Sequence, residues 1–165
     1  SGDAEIIEPE TESGADESIP NGVYEYNGHY YQIIDDSLSW YEAKTKCEEM
    51  GGHLVTVNSQ EEQDFLTALS YNSTKKNLWI GAEADSNGVY SWVTGEEFSY
   101  TNWDAGEPNN VYNVQFTAMM YTPNASCGAG LWNDENENGR DWNGYYLSDF
   151  GFICEWEDLS SVSID

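Results

Sequence analysis

The chain has 165 residues, with 31 acidic and five basic side chains and a net charge of −26. That charge excludes nucleic acid and anionic membrane surfaces as partners, since both would be repelled, and it eases the holding of a divalent cation. Seven Trp, twelve Tyr and five Phe exclude a disordered chain, and the length predicts one domain with a sizeable core.

Residues 1–20 are rich in Glu, Asp, Ser, Thr and Pro and predict a flexible acidic linker, because they bury too little to offset their ordering entropy. A domain over 21–158 and a short tail over 159–165 follow. Val23–Tyr26 and His29–Ile34 flank Asn27-Gly28, a two-residue hairpin signal. Ser39-Trp40-Tyr41-Glu42 is a capping box that opens a helix through Cys47, stopped by Gly51-Gly52. His53–Val57 reads as a short strand. Ser59-Gln60-Glu61-Glu62 is a second capping box, and its helix carries one apolar face of Phe65, Leu66 and Leu69. Short strands are expected at 78–83, 89–93, 114–121 and 151–157. The stretches 94–113 and 122–150 read as long loops, and loops of that size on a rigid scaffold usually carry function. Two helices followed by an antiparallel sheet with a long-loop region make an α+β layout. No run of apolar residues approaches the length of a membrane span, and no signal peptide is apparent, so any secretion signal or anchor would lie outside these residues.

Two triplets concentrate the chemistry. Glu107-Pro108-Asn109 and Trp132-Asn133-Asp134 each set two oxygen-bearing side chains beside a structural anchor. Together Glu107, Asn109, Asn133 and Asp134 offer carboxylate and amide oxygens, the ligands that Ca²⁺ takes. Each triplet read alone is also an ordinary turn sequence, rich in Asn, Asp and Pro.

In this order the motifs resemble a C-type lectin-like domain. The likeness covers about Gly22 to Glu157: the helix with Cys47, then Leu78-Trp79-Ile80-Gly81, the two triplets, and the closing Gly151-Phe152-Ile153-Cys154-Glu155. The resemblance implies one Ca²⁺ held by Glu107, Asn109, Asn133 and Asp134, with vicinal sugar hydroxyls ligating the same ion. The Glu-Pro-Asn order is similar to members that prefer mannose-, fucose- or GlcNAc-type hydroxyl geometry. It further implies a cis Glu107–Pro108 bond in the metal-bound state and a disulfide between Cys47 and Cys154, hence an extracellular, secreted or cell-surface protein, which the notion of a microbial member also fits. Two departures matter. The family's further Glu is missing from Asn110-Val111-Tyr112-Asn113-Val114, which should weaken calcium toward a Kd of about 10⁻⁴–10⁻³ M. Cys127 stands where the family's short disulfide begins, but no partner Cys follows; it is either an inert buried thiol or an exposed one able to link chains.

Trp142, Tyr145 and Tyr146 follow the second triplet. Their rings suit the C–H face of a sugar, a protein interface or plain core packing. The stretch 136–149 mixes aromatics with Asn, Asp and Gly, like an adaptable paratope, and some microbial C-type lectin-like proteins diversify such loops. The expected partner is therefore a glycan or cell-surface glycoprotein, with a calcium-independent protein-binding adhesion or receptor module as the alternative. An enzyme is not expected. His29 follows a turn, His53 opens a strand, and no nucleophile elbow, phosphate loop or His-rich metal motif is present.

Overall fold

The computed structural model describes residues 19–139 and 146–163. The expected linker therefore lies outside the described residues except for Ile19 and Pro20, as do Trp142 and Tyr145.

The Asn27-Gly28 turn has positive φ at both residues (50° and 82°), the conformation that matches the twist of a two-residue hairpin. It joins β1 (Val23–Tyr26) to β2 (His29–Ile34) in register, Tyr26 opposite His29. Helix α1 (Trp40–Glu49) starts with the full reciprocal capping box between Ser39 and Glu42. Helix α2 (Gln60–Leu69) keeps only half of its box. Ser59 Oγ accepts from the Glu62 backbone N–H, but the Glu62 carboxylate is drawn away to the Asn58 N–H at 2.8 Å and the Tyr31 hydroxyl at 2.6 Å. Tertiary contact outcompetes the local cap there.

The remaining strands are β3 (His53–Leu54), β4 (Asn77–Ala84), β5 (Tyr90–Trp92), β6 (Thr117–Tyr121), β7 (Trp132–Glu135) and β8 (Phe150–Trp156). They form one sheet in the order β1-β2-β8-β4-β6-β7, with β3 added to β8 and β5 to β4. The sheet is mixed rather than antiparallel throughout, because β8 returns parallel to β4, with Leu78 opposite Gly151. Strand β3 is shorter than expected. Val55 leaves the ladder to bridge two strands, its N–H bonding Ile153 O at 3.0 Å and its carbonyl accepting from Gly81 at 2.8 Å. That approach explains the glycine of Leu-Trp-Ile-Gly, since a Cβ on Gly81 would stand 2.6 Å from Leu54 O.

β4 and β8 are hydrophobic on both faces, as a central strand covered on both sides must be. Alternate residues feed two cores. Trp79, Phe152 and Cys154 join α1 through Trp40, Ala43 and Cys47. Leu78, Ile80 and Ile153 join α2 through Leu66 and Leu69, together with Trp92 and Trp132. Cys47 and Cys154 thus lie buried side by side as thiols, and burial first, then the Cys154 neighbour, pushes the Cys47 thiol up. Cys127 is half-buried against the same core. The chain end also docks, because the turn Leu159–Ser161 leads to a bond from Ser163 N–H to Met50 O at 3.1 Å.

Both histidines flank the end of β8. His29 Nδ1 lies 2.6 Å from Glu155 Oε2, and His53 Nε2 lies 3.7 Å from Glu157. Burial opposes the His29 cation, but the hydrogen bond and charge of Glu155, backed by Glu157 and Glu62, outweigh it and raise the imidazole above 6.5. A raised histidine stabilises fully below its unfolded value, and that contribution fades as pH rises through the folded value. The melting temperature should therefore fall as pH passes upward from 6.5, and the fall should be smaller in His29→Gln; scanning calorimetry across that range checks it.

Candidate functional site

The Glu-Pro-Asn triplet lies on a loop, but Trp-Asn-Asp lies on an edge strand inside the expected long loop 122–150. Asn and Asp are poor strand formers, which hid β7 in the sequence. Trp132 pins the loop to the strand. Its N–H bonds Asn102 O at 2.9 Å and its carbonyl accepts from Asp104 N–H at 2.8 Å, forming a parallel bridge with Trp103. Its indole N–H reaches Gln63 Oε1 of α2 at 2.8 Å. Trp92 and Trp103 pack edge-on to its ring, each with centroids 5.6 Å away.

From that anchor the chain turns, Glu107 N–H to Asp104 O at 3.0 Å, and passes through a cis Glu107–Pro108 bond. This brings three of the four expected ligands together. Asp134 is fully buried and accepts the backbone N–H of Asn110 at 2.6 Å and of Asn109 at 3.3 Å. Asn109 Nδ2 donates to Glu107 Oε1 at 3.0 Å, which leaves its Oδ1 for another partner. The Glu107 and Asp134 carboxyl groups face each other. Burial, then the hydrogen bond and charge of Asp134, push Glu107 up to about 7, against the Asn109 N–H that lowers it. A Glu107 carboxyl held back from ionising by a neighbouring acid marks a place where a cation would relieve repulsion.

Asn133 is committed elsewhere. Its Nδ2 donates to the Tyr121 hydroxyl at 2.9 Å and its Oδ1 accepts from Asp134 N–H at 2.9 Å. Strand alternation turns it away from the face that Asp134 shares with Trp132. Tyr146 is exposed, before the turn Leu147–Asp149, and among the described residues no hydrogen bond or ring contact joins it to the triplets. Trp142 and Tyr145 lie outside the described residues. No group of three or more His, Cys, Asp or Glu side chains suited to a metal occurs among the described residues, consistent with the carboxylate missing between Asn110 and Val114.

Two participants escaped the sequence reading. The Asn110 backbone N–H gave no signal in its side chain. Tyr90, whose hydroxyl is buried with no hydrogen-bond partner among the described residues, is held from ionising by burial and then by the charges of Asp134 and Glu107. Only its place two residues from Trp92, on the same face of β5, hinted at it.

The sequence matches the Lectin C-type domain family over residues 36–142. The chain belongs to the C-type lectin domain family. Among curated relatives, this C-type lectin domain is 33% identical over 156 residues to C-type lectin lectoxin-Lio2 of Erythrolamprus poecilogyrus, covering 92% of this chain and 88% of that protein. Human lithostathine superposes with a TM-score of 0.70 at 27% identity, over 95% of this chain and 100% of that one. The C-type lectin domain of murine dendritic cell inhibitory receptor 2, solved in complex with an N-glycan, superposes with a TM-score of 0.67 at 28% identity, over 83% and 97%. These relatives are animal proteins and lend no support to a microbial origin. C-type lectin domains are binding modules, not enzymes.

The pair of carboxyl groups generates a pH dependence. Glu107 is raised from 4.5 to about 7, so its stabilising contribution without cation is full below 4.5 and is lost as pH rises to about 7. Glu107→Gln keeps a donor toward Asp134 and removes the second charge. In EDTA, the variant should lack this component of the fall in melting temperature that the parent domain shows over the same interval.

Proposed function

We propose that this domain is a calcium-dependent carbohydrate-binding module of an extracellular protein, recognising mannose-, fucose- or GlcNAc-type hydroxyl pairs on a glycan or cell-surface glycoprotein. The observation that carries the reading is the facing pair Glu107 and Asp134, beside an Asn109 Oδ1 with no hydrogen bond among the described residues. The donor set is all oxygen, as Ca²⁺ requires, and carries two negative charges rather than three. Glu107, Asn109 and Asp134 would hold the ion, with Asn133 joining only if its amide leaves Tyr121. Bound Ca²⁺ would supply electrostatic attraction for two adjacent sugar hydroxyls. The Asn109 amide then offers a donor to a hydroxyl while its carbonyl faces the ion. Affinity for one sugar is expected in the millimolar range, so useful binding would come from several copies.

A second reading rests on the carboxylate missing from 110–114 and on the exposed Tyr146: a protein-binding module that needs no calcium. Binding that survives EDTA and free mannose would select it.

Cys47 and Cys154 are proposed to pair as a disulfide in the secreted protein. Closing a loop of about 100 residues contributes up to ~4.7 kcal/mol in the chain-entropy model. Thiol titration of the denatured, unreduced protein should find one thiol per chain, Cys127, rather than three.

The calcium reading is tested by the melting temperature in EDTA and in about 10 mM Ca²⁺, with Mg²⁺ as control. At a Kd of about 0.1 mM the ion adds roughly 2.7 kcal/mol, a rise of several degrees for a domain of this size. Asp134→Ala should abolish the rise. A parent domain with no calcium shift would refute the reading.

A further inference from the structure

Two Asn-x-Ser/Thr triplets occur in the chain, Asn72-Ser73-Thr74 and Asn124-Ala125-Ser126. Such a triplet is the acceptor pattern for N-linked glycosylation of secreted proteins, but the pattern alone selects no site. The fold brings these two together and uses their amides in opposite ways.

Asn72 ends a short turn, Ser70–Asn72, that follows α2. It is exposed, and its carboxamide makes no hydrogen bond among the described residues. The residues after it are pinned. Ser73 is buried and its hydroxyl donates to Asp35 Oδ1 at 2.7 Å, while the Thr74 N–H and hydroxyl each reach Asp35 Oδ2 at 2.9 Å. The acceptor amide thus stands uncommitted on a fixed loop. Beside it the Tyr71 ring is 68% exposed and offers an apolar face for a first sugar.

Asn124 is also exposed, but its amide is committed. Its Nδ2 donates to Ser73 O at 2.9 Å and to Lys75 O at 3.0 Å, which clamps the loop of the first triplet. N-glycosylation replaces one Nδ2 hydrogen by a sugar, so at least one of these bonds would be lost. Exposure does not separate the two asparagines; hydrogen bonding does.

We infer that Asn72 is an N-glycan acceptor and that Asn124 is a structural clamp left unmodified. The donor class is an oligosaccharide linked to a polyprenyl diphosphate. Asn72 Nδ2 bonds to C1 of its first sugar, the bond from C1 to the diphosphate oxygen breaks, and the amide proton leaves with the diphosphate. The inference rests on the extracellular reading above. Both triplets lie beyond the end of β4 and β6 where Asn77 pairs with Tyr121. Asp134 pairs with Ala118 further along β6, where Tyr90, Asn110 and Asp134 line a groove of about 360 Å³. A glycan on Asn72 therefore leaves the calcium loops open.

The test directs the full chain into the secretory pathway of a eukaryotic cell and takes the total product, secreted and retained. Amidase release of N-glycans in heavy-oxygen water converts each glycosylated Asn to a labelled Asp, which peptide mass spectrometry locates. The label should appear at Asn72 and not at Asn124. Asn72→Gln should abolish it without lowering the melting temperature. Asn124→Ala should keep the label at Asn72 but lower the melting temperature by a few degrees, since the clamp is lost. A label at Asn124, or an unlabelled Asn72 in chains whose Cys47 and Cys154 are paired, overturns the inference and leaves the extracellular reading standing. An unlabelled Asn72 in chains with every thiol free overturns both.

Discussion

The backbone pairing of Trp132 with Asn102 and Asp104 is the interaction on which the site depends. A strand at the edge of a sheet would otherwise leave its polar groups to water or to another chain. Here a long loop covers that edge, and the covering is made stable by burial of the Trp132 ring among Trp92, Phe98, Tyr100 and Trp103. Because the bridge fixes residues 102–104 against β7, the turn that follows delivers Glu107 and Asn109 next to Asp134, two positions along the same strand from the anchor. Packing and site geometry are therefore one arrangement. The hydrogen bond from the indole to Gln63 extends it to α2, so the second helix, the sheet edge and the loop share a single buried centre.

The electrostatics of the molecule follow two opposite solutions to buried acid. Near the end of β8, Glu155 is supplied with partners: His29, the Thr56 N–H and the Thr56 hydroxyl. That carboxylate is a finished structural element. At the other site Asp134 receives backbone N–H groups, but Glu107 meets mainly Asp134 and its own loop. The first arrangement is satisfied by the protein, whereas the second is relieved only by a proton or a cation. This contrast separates a structural acid from one available for binding, and exposure alone would not have separated them.

The two-faced core explains why the chain needs so many large apolar side chains for its size. A sheet covered on one side would need only alternating hydrophobicity, but β4 and β8 bury consecutive residues because α1 closes one face while α2 and the long loop close the other. The parallel return of β8 along β4 brings Cys154 onto the α1 face beside Cys47, whereas Ile153 goes to the other core.

Local signals in the sequence determined the β1–β2 hairpin, the start of α1, the apolar face of α2 and most strand positions, because turn chemistry, capping and periodicity act over a few residues. The motif order also determined the family, and it singled out Glu107, Asn109, Asn133 and Asp134 as candidate ligands. What the sequence could not carry was set by contacts between distant segments. β7 formed from residues with poor strand propensity because the edge of β6 offered a partner and Trp132 a buried place. Asn133 left the expected ligand group because strand alternation turned it toward Tyr121. Glu62 gave up its cap because Tyr31 and Asn58 competed for it. The parallel pairing of β8 with β4, and the convergence of Asn110, Tyr90 and Asp134 around one groove, likewise arose only when the two long segments folded over the sheet. Residue type limits which side chains could serve as ligands, but their orientation depends on which neighbour the tertiary structure brings within bonding distance.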